Sequence, residues 1–109
     1  MNYLNVQLQP ALLSTFNESA VTALQTPNAP DDYVLGVNID RGEDNDQYIN
    51  VTFATLNPRL LWPAIREHMV LLGLQGASIV TCTGTCGWDN YLLLHHFDHA
   101  VSTDRFDAP

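Results

Sequence analysis

The chain has 109 residues, 46% of them hydrophobic, and its twelve carboxylates against four arginines and no lysine leave a net charge of −8. That length supports one core rather than two, so a single domain over residues 1–109 is expected, and the charge argues against direct binding of nucleic acid or of anionic membrane surfaces. No apolar run reaches the ~18 residues of a membrane span, and the first five residues lack the basic region and apolar stretch of a secretory signal, so a cytoplasmic location is expected.

Residues 3–9 alternate. Leu4, Val6 and Leu8 oppose Asn5, Gln7 and Gln9, which predicts a half-buried strand ended by Pro10. Leu12, Leu13, Phe16, Ala20, Val21, Ala23 and Leu24 recur mostly at steps of three and four, predicting an amphipathic helix over 11–24 opened by Pro10. Pro27 and Pro30 break it. A second strand is expected over 33–40 and a third over 47–55, joined by a polar turn at 41–46. Asn57 and Pro58 suit a helix start. Pro63 then interrupts, because proline inside a helix loses a hydrogen bond and clashes with the preceding turn. The expectation is a turn over 58–61 and a helix over 63–72, with Ile65, Met69 and Leu72 buried and Gly73 as terminator.

Two apolar runs follow, 77–83 and 91–97. Pairing them across a seven-residue loop, 84–90, places Cys82 opposite Leu92, Val80 opposite Leu94 and Ile79 opposite His95. Residues 99–109 are polar and fit either a short edge strand or a loose tail. The order βαββαββ predicts an α+β fold. It has a mainly antiparallel sheet with two helices on one face, a ferredoxin-like (split βαβ) arrangement plus a C-terminal hairpin strand.

Chemistry-bearing residues concentrate between Cys82 and His99. Cys82, Cys86, His95, His96 and His99 are of the types that ligate zinc. The Cys-x3-Cys spacing is loose, however, and adjacent His95 and His96 face opposite sides of a strand. A metal site on Cys82, Cys86, His95 and His99 is therefore only an alternative, and no cofactor is expected. Two cysteines are too few for a disulfide scaffold and read as free thiols. Cys86 stands in a glycine-flanked loop beside Trp88 and Asp89, but no catalytic signature surrounds it and no G-x-S-x-G occurs. Asp40, Glu43, Asp44 and Asp46 crowd one turn without the glycine and terminal glutamate of an EF-hand loop. No phosphate-cradling glycine motif is present.

These features point to a small, acidic, non-enzymatic protein-binding domain. Its expected action is that of an inhibitor or antidote occupying the basic surface of a nucleic-acid-acting partner. The expected contact residues are Asp40, Glu43, Asp44, Asp46, Tyr48, Trp88 and Asp89: the carboxylates steer the encounter and the aromatics anchor it. Two other readings stand beside it: a metal- or small-molecule-binding domain centred on the cysteines and histidines, and a self-assembling subunit that pairs sheet edges as a homodimer.

Overall fold

The computed structural model of the protein describes residues 1–14 and 16–106. Among the described residues, five strands and two α-helices follow in chain order: β1 (Asn2–Leu8), α1 (Glu18–Leu24), β2 (Gly36–Asp44), β3 (Asp46–Thr55), α2 (Pro58–Leu72), β4 (Ser78–Gly84) and β5 (Gly87–His96). The strands form one sheet in the order β2-β3-β1-β4-β5, and every neighbouring pair is antiparallel. The result is the expected α+β domain of five strands and two helices.

Alternation decides which face is buried. Leu4, Val6 and Leu8 of β1 lie in register with Phe53, Val51 and Ile49 of β3, and with Cys82, Val80 and Ser78 of β4. All of these but Ser78 meet Val21 and Leu24 of α1 and Leu61, Trp62, Ile65 and Met69 of α2 in one core. His68 of α2 bridges the helices, its Nε2 2.6 Å from the Ala23 carbonyl. Among the described residues, no α-helix packs on the opposite face of the sheet.

Four local expectations are corrected. The helix predicted over 11–24 is a 3-10 turn at Pro10–Leu12 followed by the short α1. Asn17 starts α1 by accepting a hydrogen bond from the Ser19 amide at 2.6 Å, with its own backbone extended. Leu13 and Phe16 still pack on the core, so their spacing is satisfied without helical backbone.

The second correction concerns the β2–β3 hairpin. Tyr33 belongs to a 3-10 turn, and β2 continues to Asp44. The chain reverses at Asn45, with φ 67, a left-handed conformation that asparagine tolerates. The predicted polar turn is thus mostly strand. Third, α2 runs unbroken through Pro63. Proline there forgoes one bond, to the Arg59 carbonyl. Pro63 is exposed, while Leu61, Trp62, Ile65 and Met69 bury the other side of the helix, and that burial outweighs the lost bond. Leu72 is only half-buried; Gly73 ends the helix as expected, at φ 69.

Fourth, the β4–β5 connection is tight. Gly84 pairs with Gly87 (φ 67) around Thr85 and Cys86, in place of a seven-residue loop. Cys82 does sit opposite Leu92, but a bulge moves Val80 to His95 and Ile79 to His96. Between the Gly84–Gly87 and Cys82–Leu92 pairs, β4 has one residue and β5 has four, Trp88 to Tyr91, so β5 bows outward. Residues 99–106 are neither strand nor loose. The Asp104 amide donates to the Leu93 carbonyl (2.6 Å), and the Leu93 amide donates to the Asp104 carboxylate (2.8 Å). This exchange covers the free edge of β5, and Phe106 packs on the core. Residues 107–109 lie outside the described residues.

Candidate functional site

The bare sheet face has three zones. At the β4–β5 end, Ile79, Thr81, Trp88, Tyr91, Leu93 and His96 line a shallow, mainly apolar groove of about 380 Å³. Trp88 is 47% exposed and Tyr91 55%, because the bow in β5 carries both away from β4. The hairpin beneath them is tied by Asn90. Its Oδ1 accepts from the Cys86 amide (2.6 Å) and its Nδ2 donates to Thr85 Oγ1 (2.8 Å).

The middle zone is polar and self-satisfied. Asn5 Nδ2 donates to Asn50 Oδ1 (3.1 Å), and Thr52 Oγ1 donates to Asn5 Oδ1 (2.9 Å). Gln7 and Gln9 continue this strip toward the hairpin tip, where they line a second groove with Asp44, Asp46 and Tyr48.

The far zone is acidic. Asp40 stands in register with Asn50 and Asp44 with Asp46, while Glu43 sits opposite Gln47. Alternation puts Asp40 and Asp44 on the bare face and Glu43 on the helix side with Arg41. Arg41, the only cation of the hairpin, is held by Glu18 of α1 through two bonds of 2.8 and 2.9 Å. That bidentate pair keeps the Glu18 carboxyl below its ordinary range and raises Arg41. Arg41 is thereby drawn to the helix side, away from Asp40 and Asp44. Tyr48 is half-buried, and its ring lies across Gly42, where a methyl group would collide with it. Tyr48 therefore supports the hairpin as well as lining the surface.

The expected contact residues thus separate. Asp40, Asp44, Asp46 and Tyr48 gather at the β2–β3 end, Trp88 and Asp89 stand at the β5 end, and Glu43 falls on the helix side. Trp62 is core, 8% exposed. The cysteines and histidines do not converge. Cys82 is in the core and Cys86 at an exposed hairpin tip. His95 Nε2 lies 2.9 Å from the Gln75 carbonyl, and His99 is exposed past the end of β5. Among the described residues, no three His, Cys, Asp or Glu side chains are placed to hold a metal ion.

Compared with protein-family models, with curated proteins and with solved structures, the chain matches none.

Sequence reasoning missed the groove partners Ile79, Thr81, Leu93 and His96. The outward parity of Ile79 and Thr81, opposite to Val80 and Cys82, marks them in the sequence. Leu93 follows from the expected pairing of Cys82 with Leu92, whereas His96 depends on a bulge that no local pattern announces. Among the described residues, no helix is long and apolar enough to cross a membrane.

Proposed function

We propose that the protein is a small, non-enzymatic protein-binding domain whose bare sheet face docks on a partner protein with a basic surface. An inhibitor or antidote of a nucleic-acid-acting protein works in this mode. One observation carries the reading: a five-stranded sheet left open on one side has exposed Trp88 and Tyr91 at one end and Asp40, Asp44 and Asp46 at the other. Strands are ~4.8 Å apart, so five of them spread the two ends over roughly 20 Å, within the span of an ordinary protein interface. The partner that fits has an apolar knob for the Trp88 groove, flanked by arginine or lysine for the acidic end. The strand order β2-β3-β1-β4, with β5 added by a hairpin, supports a ferredoxin-like reading of the fold. Two free cysteines suit the reducing cytoplasm, which belongs to the same proposal.

The test is capture from an extract of the source cells on the immobilised protein, at low and high salt, with Trp88→Ala run in parallel. The expected result is one basic protein retained by the wild type, weakened by salt and lost with Trp88→Ala. Equal retention by both forms sinks the proposal. So does a wild-type protein that elutes only as its own dimer, which would favour self-assembly.

A further inference from the structure

The chain has only four arginines and no lysine, and three of those arginines gather in one place. Arg59 and Arg66 lie two turns apart on α2, and Arg105 stands on the C-terminal segment. Together they line a cleft of about 430 Å³ whose floor is Trp62, Leu94 and Phe106. The cleft is on the helix side of the sheet, away from the bare face. The fourth arginine, Arg41, is held by Glu18.

The cleft is built rather than incidental. Arg66 sits over the Trp62 ring, 5.9 Å from its centroid, a contact that uses none of its N–H donors. Asp104 is the one carboxylate among the described lining residues. It already accepts the Leu93 amide, and its own amide bonds the Leu93 carbonyl. Asp104 thus fixes the wall that carries Arg105. In a chain of net charge −8, guanidinium groups from α2 and from the C-terminal segment meet over one apolar floor.

From this geometry we infer that the cleft binds a small organic oxyanion: a carboxylate or phosphate group attached to a flat apolar body. Guanidinium forks match the paired oxygens of such groups and stay charged at any physiological pH. The apolar floor accommodates the body, and the volume falls within the ~300–1,000 Å³ typical of small-molecule sites. Arg66 and Arg105 grip the oxyanion.

Trp62 reports on the site directly. In Trp88→Phe it is the only tryptophan, so its fluorescence can be titrated with phenyl phosphate, inorganic phosphate and neutral phenol. The expected result is saturable binding of phenyl phosphate, at least ~10-fold tighter than of inorganic phosphate or phenol, and weakened at least ~10-fold by Arg66→Ala with Arg105→Ala. Arg66→Ala alters the ring's surroundings itself, so calorimetric titration of the same proteins supplies an independent affinity. Arg105→Ala alone, off the helix, serves if the double variant does not fold. A signal that rises linearly to about 10 mM phenyl phosphate, or an affinity unchanged by the arginine substitutions, overturns the inference.

Discussion

Cys82 and Cys86 stand four residues apart in opposite surroundings. Cys82 is fully buried, facing Leu4 on one side and Leu92 on the other. Burial pushes its thiol up from 9.0 to about 11, because a thiolate in the core loses its hydration. The linkage has a definite sign. The unfolded chain ionises this group first, so its contribution is complete below about pH 9 and is lost as the pH rises toward 11. Urea unfolding between those pH values is expected to show falling stability, with a shallower fall in Cys82→Ala. Cys82→Ala keeps every other side chain, so the difference between the two proteins isolates the thiol. Identical slopes would mean that Cys82 is not protected. Cys86 lies exposed at the turn, so a thiol reagent is expected to label one site quickly in the native protein and the second only on unfolding.

At the scale of elements, α2 shows how packing overrides a local signal. Its buried stripe extends N-terminal to Pro63 through Leu61 and Trp62, so stopping there would expose Trp62, the largest side chain of the helix. Pro63 is nevertheless a cost. Replacing it by alanine restores an amide for the Arg59 carbonyl and relieves the ring clash, partly offset by greater freedom in the unfolded chain. Pro63→Ala is therefore expected to stabilise the protein by about 1–2 kcal/mol. The urea midpoint would rise with an unchanged slope. A lower midpoint would show that the ring contributes more by packing than it removes from the helix. The N-terminus of α1 is the converse case. Asn17 offers a cap and the helix begins there, leaving Leu13 and Phe16 to reach the core from irregular chain.

Over the whole molecule, two charged regions lie on opposite faces. The bare face has carboxylates at its β2–β3 end and aromatics at its β5 end, and the helix side has the three-arginine cleft. Long-range steering and short-range anchoring are thereby separated, so they should respond to different substitutions. Asp44→Arg with Asp46→Arg shifts the net charge from −8 to −4, each reversal adding two. At low salt it is expected to slow association with a captured basic partner by roughly 10-fold, an effect that fades as salt screens the charges. Dissociation and thermal stability should hardly change, since both side chains are exposed. An association rate unaffected at low salt would remove the carboxylates from the proposed encounter.

The sequence by itself determined the class of fold and the buried face of its central strands. Alternation in Leu4–Val6–Leu8 and in Ile49–Val51–Phe53 is a property of local backbone geometry, and it holds wherever the strand is placed. Gly73 and the βαββαββ order were legible for the same local reason. Tertiary structure alone decided the rest. It carried α2 through Pro63, stopped α1 short at Asn17, and set a bulge opposite Val80 that shifted His95 and His96 by one place. It also brought Trp88 and Asp40 onto one surface, and Arg105 to Arg59 and Arg66. Each of these depends on burial or closure between residues distant in the chain, and no window of neighbouring residues contains that information.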